Sequence, residues 1–327
     1  MATIREITRA YCNRSDPLAA ASYFGTFAVY FLTLWLAVIS FDTLWLMVPL
    51  AVINALSGVR LYVLQHDCGH HSLFARAWVN DWAGYGLSTF TLTPYRVMQF
   101  NHNQHHKFLG DLEERRSGEI HTMTLAEWER AGVWERLGYR LYRNPAILIP
   151  LGGIFVYALR YRWPKNTGRV GVTGVLIHNI LLIAWIFLLW ILGGTNALIV
   201  YAITVFVAAC TGVFLVYLQH NFEDTYWDRR PDLRPDMAAL QGSSALDLGW
   251  WFDLATGNIA YHDIHHFNAN IPSYRLRKCH RALRDEYGLR VIKWPEALRS
   301  FTLKLWDEEH ERLVPFPRRA AGHLVAN

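Results

Sequence analysis

Charge is what this 327-residue sequence lacks over long distances. No Asp, Glu, Lys or Arg occurs from Pro17 to Phe41, from Thr43 to Val59, or from Val170 to Phe222. Only 18% of the chain is charged, against 52% hydrophobic, which points away from a soluble enzyme. A spanning helix needs about 20 mostly apolar residues, so the first two stretches suffice for one span each and the third for two. Cysteine is scarce as well. Cys210 falls in an apolar run and Cys68 in a histidine-rich motif, and with Cys12 and Cys279 they make no legible disulfide framework. That suits a reducing cytosolic face. No His-Glu-x-x-His is present, which excludes a zinc protease of that type. No nucleic-acid motif accompanies the net charge of +5, so no nucleic-acid partner is expected. No cleavable signal peptide is expected either. Arg5, Glu6, Arg9, Arg14 and Asp16 precede an apolar run too long for an h-region. Repeats, long linkers and low-complexity tracts are also missing, so residues 1–327 are expected to form a single domain.

The cations are placed unevenly. All 32 Lys and Arg fall outside residues 17–59 and 170–222. Cationic residues stay on the cytoplasmic side, so each stretch is expected to be a hairpin with a short outer turn, near residues 41–43 and 193–196. The spans are then approximately 18–40, 44–65, 170–192 and 197–219, with both termini cytosolic. Residues 83–95 are too short to cross, and residues 145–159 are interrupted by Pro150 and the Gly152-Gly153 pair, so both are read as re-entrant or interfacial. The expected fold is an all-α membrane protein: four transmembrane helices in two hairpins, under a cytosolic helical cap. In that cap, Thr124-Leu-Ala-Glu127 reads as a capping box. It opens an amphipathic helix with Leu125, Trp128, Trp134, Leu137 and Leu141 on its apolar side. Ser273 and Gly288 bracket a helix to Tyr287, and Pro295 opens another to about Arg312. The charged stretch from Gly110 to Glu119 is expected to be solvated.

Histidine is abundant, and it is clustered. Nine of fifteen fall in three boxes: His66, His70 and His71; His102, His105 and His106; His262, His265 and His266. In a helix, spacing of i, i+3 and i+4 puts imidazoles on neighbouring positions of one face. Neutral imidazole is the commonest protein metal ligand. Structural zinc takes four ligands and catalytic zinc three plus water, so nine histidines exceed one zinc and suit two ions that prefer octahedral geometry. Soluble di-iron carboxylate proteins use Glu-x-x-His pairs, and none occurs here. A metal transporter would place ligands near the bilayer midplane, whereas these boxes sit at span ends and in polar segments. Three boxes can share one site only if an even number of spans separates them.

The boxes and their surroundings resemble the membrane-bound fatty acid desaturases, particularly the bacterial acyl-lipid type similar to Δ12 (omega-6) enzymes. The matching motifs are Gln65-His-Asp-Cys-Gly-His70, Gly110-Asp-Leu-Glu113, Gln219-His-Asn-Phe-Glu-Asp224 and Thr256-Gly-Asn-Ile-Ala-Tyr-His262. They cover roughly residues 40–280. The resemblance implies two iron ions ligated by His66, His70, His102, His105, His106, His220, His262, His265 and His266, with His71 a possible replacement for His70. Asp67, Asp111, Glu223, Asp224 and Asn258 are the candidates to orient ligand rings. His220 lies outside the boxes, but a Gln precedes it as Gln65 precedes His66, and a ninth nitrogen would allow one ion five ligands and the other four.

The implied activity is O2-dependent insertion of a double bond into a fatty acyl chain. An unactivated methylene has no handle for acid–base catalysis, so a reduced di-iron centre must activate O2 against it. The resemblance leaves three acyl carriers open: a lipid, CoA or a carrier protein. No haem or flavin motif is present, so electrons are expected from an external donor such as ferredoxin or cytochrome b5. The implied location is a bacterial inner membrane with a cytosolic site. Hydroxylases, acetylenases and conjugases resemble desaturases and share this ligand set. His178, inside an apolar run, is expected to be a neutral, internally hydrogen-bonded residue; His121, His280, His310 and His323 are expected at the surface.

Overall fold

The computed structural model describes residues 3–115, 120–163 and 167–317. A short helix α1 (Ile4–Arg9) precedes two long apolar ones, α2 (Asp16–Ile39) and α3 (Leu44–Gly69). They are followed by α4 (Ala77–Thr91) and α5 (Tyr95–Lys107), then α6 (Leu125–Arg130), α7 (Val133–Tyr142) and α8 (Pro145–Gly153). The last of these continues as a wide-turn π segment, Ile154–Leu159. Next come α9 (Thr167–Val170) and the long run α10 (Val172–His220). The final third holds α11 (Pro235–Gln241), α12 (Trp250–Ala255), α13 (His262–Phe267), α14 (Ser273–Tyr287) and α15 (Trp294–Ser300).

Three helices, α2, α3 and α10, are long and apolar enough to cross a membrane. They are apolar on all sides, and Phe24, Leu32, Ile183 and Trp190 are exposed along them. A contiguous exposed apolar surface of this kind meets lipid in an integral membrane protein. The run α10 is two helices joined at Gly194, whose backbone (φ 59°, ψ −149°) is non-helical and open to glycine alone. The neighbouring Gly193 lies against Val38 and Trp35 at the end of α2. Val175, near the start of α10, packs instead with Val97 of α5 and Tyr161.

The polar third covers one end of these helices. It contains short strands as well as helices. Met123–Thr124 pairs with Leu305–Asp307, which pairs with Arg312–Val314, and Ala245–Leu246 pairs with Val291–Ile292. The expected helix from Pro295 to Arg312 therefore stops at Ser300, because Leu303, Leu305 and Leu313 are drawn into strand and core contacts beside Trp306. The capping box at Thr124 and Glu127 is present, and Arg115 adds a second hold on the Glu127 carboxylate. That hydrogen-bonded pairing brings Glu127 down to about 2. The amphipathic helix it opens is divided in two at Ala131-Gly132, where Ala131 turns to an extended conformation. The helix Ser273–Tyr287 ends at left-handed Gly288 as expected, but Ser273 does not cap it by its side chain. Its backbone N–H donates to Asp67 Oδ2 instead, at 2.8 Å.

Candidate metal centre

The first box ends the long helix α3, and the other two lie on the shorter α5 and α13 at the covered side of the long helices. His66 occupies the last turn of α3, and His70 is that helix's C-cap residue. His102, His105 and His106 fall in the last turns of α5, His220 ends α10, and His262, His265 and His266 are on α13. The nine rings sort into two groups. His66, His70, His102, His106 and His265 form one, and His105, His220, His262 and His266 the other. Within each group one nitrogen per ring lies within 4.8 Å of the others. Boxes two and three thus divide their rings between the groups, and the rings of His106 and His266 meet across the boundary at 4.2 Å.

The rings converge through their Nε2 atoms. His102 Nε2 is 2.8 Å from His66 Nε2 and 2.9 Å from His106 Nε2, which is 3.0 Å from His265 Nε2. In the second group His266 Nε2 lies 3.0 Å from His262 Nε2 and 3.2 Å from His105 Nε2. Burial, reinforced by neighbouring imidazoles, holds His102, His105, His106, His262, His265 and His266 well below the ordinary histidine range. A neutral imidazole has one accepting nitrogen, and accepting nitrogens turned on one another repel unless a cation lies among them. Metal–imidazole distances of about 2.0–2.1 Å put adjacent octahedral ligand atoms about 3.0 Å apart and tetrahedral ones about 3.3 Å. Separations of 2.8 to 3.2 Å are close to the spacing of neighbouring nitrogens on one ion. His70 Nε2 and His220 Nε2 are buried without a hydrogen-bond partner, as lone pairs reserved for a metal would be.

The supports explain why the rings face inward. His220 Nδ1 donates to the Gly242 carbonyl at 3.0 Å, which leaves Nε2 as the free acceptor. A Cβ on Gly242 would collide with the Ala238 carbonyl, so only glycine lets the chain approach this closely. Asp67 Oδ1 stands 3.4 Å from His66 Nδ1, and its other oxygen takes the Ser273 N–H. Gln65 is fully buried and bonds to Gly84, Ser88, Thr91 and Thr93, locking the last turn of α3 to α4. Gln219 does the same for His220 by donating to the Ile259 carbonyl. Tyr95 donates to the Cys68 carbonyl at 2.8 Å and lies where a Cβ on Gly84 would be, so α5 is held tight against α3 and α4. Buried Arg143 joins three cap segments through Thr122, Asn221 and the Leu303 carbonyl, beside His220.

The other candidates are placed differently. His71 is turned away with φ +54° and pairs with Asp81 at 2.9 Å, outside both groups. Asp111 is buried and paired with Arg230, bracing the loop after box two against residues 228–230. Glu223 and Asp224 pair with Arg299 and Arg290 on the cap. Asn258 has φ +67° in the turn leading to α13. His178 accepts from Arg162 at 2.7 Å. His121 and His310 are exposed, and His323 lies outside the described residues. His280, expected at the surface, is buried, with Nδ1 3.1 Å from Asp263 Oδ2. The reason is its position on the inner face of amphipathic α14, beside Leu276 and Leu283. Asp263, inside the third box, was not singled out from sequence; its place between His262 and His265 was the available signal.

An apolar cavity of about 380 Å³ leads to both groups. Its walls include His66 and His102 from the first and His105, His220 and His262 from the second. It extends along α3 past Gly58 to Asn54, about 18 Å from His66 at about 1.5 Å per residue. Tyr30, Phe90 and Thr204 also line it.

Residues 43–296 match the family model for fatty acid desaturases. The chain is 32% identical over 303 residues to a fatty acid desaturase of Bacillus subtilis (strain 168), covering 92% of this chain and 86% of the relative. It is 26% identical over 241 residues to an sn-1 oleoyl-lipid 12-desaturase of Arthrospira platensis, covering 71% and 67% respectively. An sn-1 acyl-lipid omega-3 desaturase (ferredoxin) of Nostoc sp. (strain 36) is 25% identical over 277 residues, covering 77% and 71%.

Proposed function

The chain belongs to the fatty acid desaturase family, and we propose that it acts on an acyl chain still esterified in a membrane lipid, at two iron ions held by the five- and four-histidine groups. The reaction converts –CH2–CH2–, O2, two electrons and two protons into –CH=CH– and two waters. Bound iron, once reduced, supplies the activation of O2 that a methylene with no polar handle requires. The protein's residues supply position. His66, His70, His102, His106 and His265 would hold one ion, and His105, His220, His262 and His266 the other. Asp67 and the Gly242 carbonyl orient rings, Asp111 and Asn258 brace the segments that carry boxes two and three, and Glu223 and Asp224 tie the cap together. The cavity walls align two adjacent carbons and keep water out. The single observation that carries this reading is the convergence of nine ring nitrogens at an apolar cavity that runs into the membrane-facing helices.

Two points favour a lipid-borne substrate. Relatives are named as oleoyl-lipid and acyl-lipid desaturases. Phe155 and Val216 line the cavity and are exposed on its apolar flank, where an acyl chain arriving from the bilayer would enter. Expression in a host whose lipids are saturated and monounsaturated, followed by mass spectrometry, is expected to reveal a new double bond in phospholipid acyl chains. Purified protein is expected to carry about two irons. One zinc with no iron-dependent activity would overturn the reading, and a hydroxylated product would assign the chain to a different chemistry on this scaffold.

Electrons come from an external donor of the ferredoxin or cytochrome b5 class. The topology is four spans in two hairpins, with termini and metal centre on the cytosolic side of a bacterial inner membrane. The non-helical backbone at Gly194, next to Gly193 against the end of α2, and the lack of cations in residues 17–59 and 170–222 support it. Cysteines introduced at Thr43 and Thr195 are expected to react with an impermeant thiol reagent from outside, and one at Asp285 is not. External labelling at Asp285 would invert the topology.

A further inference from the structure

We propose that the outer face of α14 is the docking surface for an acidic one-electron carrier protein; this rests on the desaturase reading, which requires electrons from outside the chain. The helix carries Arg275, Arg277, Lys278, Arg281 and Arg284 against Asp285 and Glu286. Lys278, Arg281 and Arg284 are exposed along one i, i+3, i+6 ridge, with exposed Asp285 beside Arg281 at i+4 and Glu286 beyond it. Among the described residues no large apolar side chain is exposed anywhere from 255 to 293, whereas Trp250, Trp251 and Leu254 of α12 are. The α14 face is therefore aqueous, and lipid contact belongs to α12 beside it.

The same helix reaches the metal centre from its other side. His280 on its buried face contacts Asp263, the residue between His262 and His265. At its start, Ser273 N–H bonds to Asp67, which stands beside His66. Among the described residues, α14 combines an exposed cationic face with hydrogen-bonded contacts to the residues next to both histidine groups. Each turnover consumes two electrons, so a one-electron carrier must arrive and leave twice. Opposite charge on the two surfaces speeds such encounters without requiring a tight complex. The occupant is accordingly a small protein with an acidic face around its redox group.

The test uses the full-length protein in phosphatidylcholine vesicles, comparing wild type with a K278E/R281E/R284E variant. Two reductants are supplied: a reduced plant-type ferredoxin, and reduced methyl viologen, a small cation with no reason to use a basic face. The variant is expected to show a KM for ferredoxin raised at least about tenfold, with KM for the acyl lipid and turnover on methyl viologen unchanged. The wild-type rate with ferredoxin is expected to fall as salt rises, and the variant's to change little. An unchanged KM for ferredoxin overturns the proposal. Equal loss with both reductants also overturns it, by showing that the stripe is structural. An unchanged ferredoxin KM together with a wild-type requirement for added phosphatidylglycerol would assign the face to anionic lipid instead. Wild type that desaturates with neither reductant would defeat the desaturase reading itself.

Discussion

His220→Ala is expected to insert into the membrane normally yet lose iron and lose turnover by about 100-fold or more. The ring ends α10 and donates from Nδ1 to the Gly242 carbonyl, and its Nε2 is buried among His105, His262 and His266 without a hydrogen-bond partner. Removing it takes one of four nitrogens from its group, and even the loss of a residue that merely orients a ligand costs about 10- to 100-fold. His178→Ala is the contrasting variant. That ring is also buried in α10, but its contact is Arg162 at 2.7 Å, and it belongs to neither group. Its loss leaves the Arg162 hydrogen bond unmade, a cost of about 1–3 kcal/mol in stability, with iron content retained. Metal analysis and turnover on the same preparations separate the two. A His220→Ala protein with full iron and normal turnover would reduce this residue to an interfacial histidine.

Gly58→Phe is expected to lower kcat/KM by about 100-fold while iron content stays at the wild-type level. Gly58 lines the cavity on α3, two turns before His66, and a Cβ built there meets Ala208 at 3.6 Å and Tyr30 at 3.9 Å. Those are ordinary contacts, so Gly58→Ala should be tolerated and even gain about 0.5–1 kcal/mol of helix stability. A phenyl ring has only the cavity to enter, where it would displace the acyl chain from its position by the irons. Metal analysis and the profile of desaturated lipids read the outcome. Gly58→Phe with wild-type rates on the same chain lengths would show that the substrate does not pass this wall.

Much of the molecule was legible from sequence because membranes impose simple rules. Charge-free runs mark α2 and α10 within a few residues and the first four turns of α3, which continues past Arg60 to Gly69, since a spanning segment has to satisfy its backbone internally and shed its charges. The outer turn expected near residues 193–196 contains Gly194, where the backbone departs from helix. The helical spacing of the histidine boxes also survives in the structure, on α5 and α13. The cap was read less well. Residues 295–312 show a helical start signal at Pro295, but pairing between Leu305–Asp307 and Arg312–Val314 overrides it. His280 looked like a surface residue among cations because its neighbours in sequence are charged, yet α14 turns it inward with Leu276 and Leu283.

The sequence by itself determined the chemistry available to this protein. Nine imidazoles in helical spacing, long charge-free stretches and the absence of a redox cofactor motif are properties of residue type and order, and they need no folding to be read. Only the tertiary structure decided how the nine divide. His102 and His106 join one group and His105 the other, because i and i+4 lie nearly one above the other on a helix while i+3 is rotated away from i+4 by about 100°. Tertiary structure also chose the supports. Gly242 and Arg143 come from segments far from His220 in sequence, and a pattern read along the chain cannot register a contact made across it.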